Sequence, residues 1–162
     1  MSVQLVREYL AQFDKEKDVQ EFEVSSATVE LAAGAVGVIP ARIAKSLTFL
    51  SKDGTKCYMI LAAGDAKIDN AKYKHLFGCK AKMLTAEQVT EFTGHQIGGV
   101  CPFALPEGKV DVYLDESLKR FTTVFPAAGS AASAVEMSCE ELERCSGSLG
   151  WIDVCKGWQE EA

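Results

Sequence analysis

No stretch of this 162-residue chain approaches the roughly 20 consecutive apolar residues that a membrane-spanning helix needs, so no membrane partner is expected. The segment from Met1 to Asp14 lacks the basic start, continuous apolar run and small-residue cleavage site of a secretory signal, and the expected location is therefore cytoplasmic. Six cysteines, at 57, 79, 101, 139, 145 and 155, include no C-x-x-C pair, and the two histidines, His75 and His95, form no cluster that would complete a tetrahedral site. No metal is expected. Neither histidine stands beside a nucleophile, so no Ser-His-Asp or Cys-His arrangement can be read along the chain. Basic residues are outnumbered, and a net charge of −6 argues against a general nucleic-acid binder, which normally presents a basic surface. The chain also has no internal repeat, low-complexity linker or shift in composition, so residues 1–162 read as one domain.

The charge that is present is lopsided. Lys67, Lys72, Lys74, Lys80 and Lys82 fall within a short stretch, whereas Glu136, Glu140, Glu141, Glu143, Asp153, Glu160 and Glu161 load the C-terminal part. The lysines fit either a solvated helix face or a modest contact with one end of a nucleic acid. A chain of this length can bury about 70% of its unfolded surface, enough for a core without disulfide staples. In the cytoplasm scattered cysteines such as Cys57 act as small buried hydrophobes.

Local patterns give a mixed order of elements. Val3, Val6, Leu10 and Phe13 recur at helical spacing, and a second helix follows Ser25-Ser26 through residues 28–33, ended by Gly37 and Pro40. Two strands, at 44–50 and 56–63, are joined by a loop whose Asp53-Gly54 pair signals a hairpin. A short helix at 70–76 and a strand at 80–84 come next. Thr85 with Gln88, and Ser138 with Glu141, read as capping boxes that start two further helices, the first stopped by Gly94. Strands are expected at 110–114, 121–125, 132–137 and 151–154. This irregular order indicates an α+β fold with a mixed sheet.

One loop stands out chemically. In Gly98-Gly99-Val100-Cys101-Pro102 adjacent glycines allow close backbone approach and the proline stiffens the turn, so main-chain N–H groups can be held facing a carbonyl oxygen; the same residues also suit a plain turn. Lys45 begins a strand and shares a face with Leu47 and Phe49, an odd place for a charge unless it is functional or extends its stem to solvent. Cys101 sits inside the loop, where a thiol could meet a ligand, but a nucleophilic role needs a base or a lowered pKa.

Taken in order, Thr28-Val29 with Ala32-Ala33, Ala44-Lys45-Ser46-Leu47, Ala63-Gly64-Asp65, Leu84-Thr85-Ala86-Glu87, Thr93-Gly94 leading to Gly98–Phe103, Val112–Leu118 and Ala128-Gly129-Ser130 resemble the YbaK/ProX family, the editing-domain superfamily of prolyl-tRNA synthetase, over nearly the whole chain. The resemblance implies a compact, strongly twisted mixed β-sheet flanked by helices. It also implies hydrolysis of amino acids wrongly attached to tRNA, with no metal or organic cofactor. Carried over, it makes Lys45 the functional lysine, and Gly98 and Gly99 the catalytic part of a G-x-x-x-P loop. Val29, Val100, Cys101, Pro102, Gly129 and Ser130 become substrate-binding residues. The expected partners are the acceptor end of an aminoacyl-tRNA and a synthetase, with water as nucleophile.

The chain departs from the family where Cys101 replaces a common serine and where Ser130-Ala131-Ala132 replace basic or imidazole side chains. Small side chains there, with apolar surface from Val100 and Cys101, point to a small uncharged aminoacyl group. Two other readings stay open: a non-catalytic tRNA- or synthetase-binding module of the same fold, and a thiol-dependent hydrolase or redox protein using Cys101. Trp151 and Trp158 are both expected to pack, the alternative for Trp158 being an exposed terminus or the cover of a partner surface. No heptad repeat demands assembly, and monomer and dimer both remain compatible with the sequence.

Overall fold

Val6 and Leu10 are fully buried on one face of helix α1 (Ser2–Ala11), and they begin a core that runs through the centre of the sheet. The computed structural model describes residues 2–159; Glu160 and Glu161 of the acidic tail lie outside them. The elements that follow are β1 (Val19–Glu21), α2 (Val29–Val36), β2 (Ile43–Leu50), β3 (Cys57–Ala63), β4 (Lys67–Ile68), α3 (Asn70–Phe77) and α4 (Ala86–Thr93). The second half holds β5 (Val110–Asp115), β6 (Thr123–Pro126), β7 (Ser133–Val135), β8 (Met137–Ser138), α5 (Cys139–Ser146), β9 (Trp151–Ile152) and β10 (Cys155–Lys156).

Local chemistry explains the helix ends. Thr28 caps α2 by accepting from Leu31 N–H at 3.2 Å, and both expected capping boxes form, Thr85 with Gln88 and Ser138 with Glu141. Gly94 closes α4 in the left-handed conformation at φ 74°.

Six strands make a strongly curled mixed sheet in the order β8-β6-β2-β3-β5-β9, an α+β arrangement as expected. The β2–β3 hairpin is antiparallel with Lys45 opposite Ala62, while β2–β6 and β3–β5 are parallel. Central strand β3 is buried almost end to end. Asp115, fully buried, accepts from Ser117 N–H at 2.9 Å and Val154 N–H at 3.0 Å, and Ser117 Oγ accepts from Ala63 N–H, so this acidic turn ties β5 to β3.

Several expected elements differ. The strand at 80–84 is a single bridge, Met83 against Phe49, because the cap of α4 starts immediately at Thr85. The strand at 132–137 divides at Glu136: β7 pairs with β1 and β8 with β6. The terminal strand expected at 151–154 stops at Ile152, where β9 joins β5, and the chain pairs again beyond it as β10 beside β4. Strands β1 and β4 carry too few apolar residues to be read from sequence.

Candidate active site

A cleft of about 260 Å³ opens where the outer edge of β2 loses its partners. At one end of that edge β6 pairs with Ile43 and Ala44; at the other Leu84 N–H donates to Thr48 O at 3.2 Å and Leu50 N–H to Lys82 O at 2.8 Å. Lys45, Ser46 and Leu47 line the cleft in between. Its walls are mainly apolar, with Val29, Ile43, Val89 and Phe125 among them, and Met83 and Ile97 stand at it 66% and 65% exposed.

Lys45 is held in place by a turn 19 residues away. Its ammonium donates to Gly64 O at 3.3 Å and to Ala66 O, which leaves one of three N–H groups for a ligand. Burial lowers the Lys45 pKa, with the Asp65 carboxylate acting in the opposite direction. The turn is itself braced. A Cβ on Gly64 would lie 2.0 Å from Pro40 O and 2.7 Å from Val29 Cγ1, so only glycine fits there. Asp65 receives both Nη atoms of Arg120, at 2.6 and 3.0 Å, and this guanidinium holds the carboxyl below the usual carboxylate range. Arg120 in turn lies over the Trp158 ring at 5.2 Å, so Trp158 covers the support of Lys45.

The glycine loop meets the cleft through Gly98 and Val100. Gly99 does something else: its N–H donates to Gln96 O at 3.0 Å, and a Cβ there would come within 2.7 Å of Gly129 C and of Ser130 N and Cα. Gly99 therefore lets two turns touch, and Gly98 and Val100 are the loop residues that line the cleft. The Gly129–Ser130 turn stands behind the loop. Ser133 Oγ accepts from Ala128 N–H and Ser130 N–H and donates to Ser130 O, and Ser130 Oγ accepts from Ala132 N–H, so both hydroxyls shape the turn. Among these residues it is Ser133 and Ala134, with Ala127, that line the cleft.

Cys101 and Pro102 also turn away from the cleft. Cys101 is fully buried, contrary to the expectation that it presents apolar surface to a ligand, and desolvation pushes its thiol up to about 12. The structure brings to it a partner that sequence distance hid: Cys101 Sγ lies 3.5 Å from His95 Nε2. That nitrogen is 2.8 Å from Phe103 O, a carbonyl that can only accept, so Nε2 carries the hydrogen and is no base for the thiol. Burial also lowers the His95 pKa and keeps the ring neutral.

Of the expected site residues, Lys45, Gly98, Val29 and Val100 come together at the cleft, while Gly99, Cys101, Pro102, Gly129 and Ser130 form the packing behind it. Sequence reasoning missed Ser46, Thr48, Met83, Leu84, Ile97 and Ser133, whose shared position depends on which strands flank β2. Of the lysine group, Lys72 is paired with Asp153 at 3.0 Å, while Lys80 and Lys82 are exposed on the segment leading to Met83.

The comparisons with known proteins bear on the fold and the family. YwhH of Bacillus subtilis (strain 168), an uncharacterized protein, is 56% identical over 159 residues, covering 98% of this chain and all of the relative. A proline–tRNA ligase of Bacillus pumilus is 33% identical over 105 residues, 64% of this chain but only 18% of the ligase, so the chain corresponds to one portion of that enzyme. The crystal structure of a candidate trans-editing enzyme for prolyl-tRNA synthetase superposes with a TM-score of 0.85 at 31% identity, covering 96% of this chain and 98% of the other. The family model described as the aminoacyl-tRNA editing domain matches residues 23–145, and the chain belongs to that family.

Proposed function

We propose that the protein is a trans-acting aminoacyl-tRNA deacylase of the cytoplasm, with the whole chain, residues 1–162, as its single editing unit. The observation that carries this reading is that Lys45, Gly98 and Val100 line one small apolar cleft in a chain of the editing-domain family. The substrate is the acceptor end of a tRNA carrying a small uncharged amino acid, and mischarged proline tRNA is the first to test.

The N–H groups of Gly98 and Val100 hold the ester carbonyl and receive the charge that develops on its oxygen; one such donor contributes about 2.7–4 kcal/mol to lowering the barrier. The free N–H of Lys45 binds the anionic terminal nucleotide or polarises the reacting centre. Water, positioned in the cleft or assisted by the vicinal ribose hydroxyl, adds to the carbonyl carbon. The bond to the ribose oxygen then breaks and that oxygen takes a proton. No protein nucleophile takes part, which fits a Cys101 thiol that is buried and protonated.

The test is single-turnover deacylation of proline tRNA charged with alanine, serine, cysteine or 2-aminobutyrate, by wild type and Lys45→Ala. Hydrolysis of one member by wild type, lost in the variant, supports the deacylase and names its amino acid. A folded wild type that binds these tRNAs and hydrolyses none would establish the alternative, a tRNA- or synthetase-binding module.

A further inference from the structure

Successive residues of a strand turn their main-chain N–H and C=O to opposite sides. On β2 the even-numbered residues turn away from β3, as the bonds of Thr48 O and Leu50 N to residues 84 and 82 establish. Ala44 meets β6 on that edge and Thr48 meets Leu84. Ser46, between them, is reached by neither: the β6 pairing ends opposite Ala44 and the other begins at Thr48. Its Oγ is also buried without a partner among the described residues. A gap in the edge of the sheet, centred on Ser46, thus coincides with the cleft, and the unpaired main-chain groups there are open to a ligand.

The gap has the dimensions of a single amino acid. In an antiparallel hydrogen-bonded pair two residues exchange both N–H···O bonds, whereas a parallel partner bonds two different residues, so a one-residue ligand can satisfy Ser46 only antiparallel. Resting on the deacylase reading above, we infer that the aminoacyl group of the substrate docks as a one-residue strand on Ser46. Its α-amino N–H donates to Ser46 C=O, and its ester carbonyl accepts from Ser46 N–H on one lone pair, leaving the other to the loop and the charge that develops later to both. This orientation points the amino end toward Thr48, where Leu84 already occupies the edge, so an acyl cap on the amine collides with residue 84. The site selects a free α-amine and excludes N-acylated, peptidyl-like esters.

Amide exchange and chemical shifts of ¹⁵N-labelled protein test this directly, with the non-hydrolysable 3′-alanylamido-3′-deoxyadenosine and its N-acetyl derivative as probes. Ser46 N–H is expected to exchange much faster than the Lys45 and Leu47 amides, which face β3, in the free protein. The alanyl probe is expected to slow it by at least about tenfold, and the acetylated probe to leave it unchanged. Ser46→Pro removes the N–H without breaking a ladder bond, and is expected to keep its melting temperature near wild type while losing at least about tenfold in kcat/KM. Shifts at Gly98 and Val100 without Ser46, or equal binding of the acetylated probe, overturn the docking mode and leave the deacylase standing. A probe that perturbs no amide, with no mischarged tRNA hydrolysed, overturns both.

Discussion

Lys45 and Cys101 are the two most reactive side chains around the glycine loop, and burial moves both toward their neutral forms with opposite chemical results. A lysine pushed down from its ordinary value still donates in either form to the two carbonyls that hold it, and as the ammonium it keeps a third N–H to spare. A thiol pushed up to about 12 stays an unreactive S–H, and its histidine neighbour offers it an N–H rather than a lone pair. Proximity to the loop therefore does not make a group catalytic. In the proposed reaction, access to the cleft and a free donor are what separate Lys45 from Cys101.

Removing Lys45 should break the difference most sharply. Lys45→Ala is expected to lower single-turnover deacylation by about 10²–10³, the loss seen when one donor to developing charge is deleted. Its melting temperature should fall by only a few degrees, from the loss of the two hydrogen bonds to Gly64 O and Ala66 O. Thermal melts beside the kinetics check this; a drop in stability matching the loss of activity would make Lys45 a structural residue.

The next effect concerns how the two regions are held together. Gly99→Ala places a methyl 2.7 Å from main-chain atoms of Gly129 and Ser130, and backbone cannot swing aside as a side chain would. The expected cost is about 1–3 kcal/mol, a fall in melting temperature of roughly 3–10 °C. Gly34→Ala in α2, where nothing lies within 4 Å, is the control: it should leave stability unchanged or raise it by about 0.5–1 kcal/mol.

What the sequence could say about these regions follows the range of the interactions. The caps at Thr85 and Ser138 are hydrogen bonds closed within three residues, so their residue types announce them, whereas α2, expected to follow Ser25-Ser26 with Thr28 inside it, is capped by Thr28 itself. The hairpin 43–63 is nearly as local. The cleft is not: it exists because β6, some 80 residues later, takes a place beside β2 and stops short of Ser46. The turn that carries Lys45's acceptors and the histidine that faces Cys101 are likewise set by tertiary packing, which no spacing of residues displays. Gly99 was legible as a glycine that matters, but its partner, a second turn, was not.

The buried histidine supplies a smaller, pH-dependent test. His95 titrates near 6.5 when unfolded and lower when folded, because burial disfavours its charge. Between those two values the unfolded chain binds more protons, so stability rises with pH there and is lost as pH falls below about 6.5 toward the folded value. His95→Gln keeps a side-chain donor for Phe103 O but cannot take up a proton. Between about pH 7.5 and pH 5 wild type should lose more melting temperature than His95→Gln, the carboxylates contributing equally to both. Equal losses would mean that His95 is charged, or open to solvent, in the folded protein.

Cys101 itself should matter least to catalysis. Cys101→Ser removes the thiol but keeps a group of similar size that can donate to Phe103 O, so single-turnover deacylation is expected within about threefold of wild type and stability within roughly 1 kcal/mol. Alkylating reagents should leave the native enzyme active, since the sulfur has no exposed surface. A thiol nucleophile predicts the reverse: the serine variant and the alkylated protein would both fall as far as Lys45→Ala. Measuring the two variants on one charged tRNA under one set of conditions separates these outcomes, because the gap between about 10²-fold and about threefold far exceeds the error of a single-turnover rate. If the two losses came out equal, His95 would have to give up its bond to Phe103 O and turn its free nitrogen to the thiol, and the loop would have to open to admit substrate to Cys101.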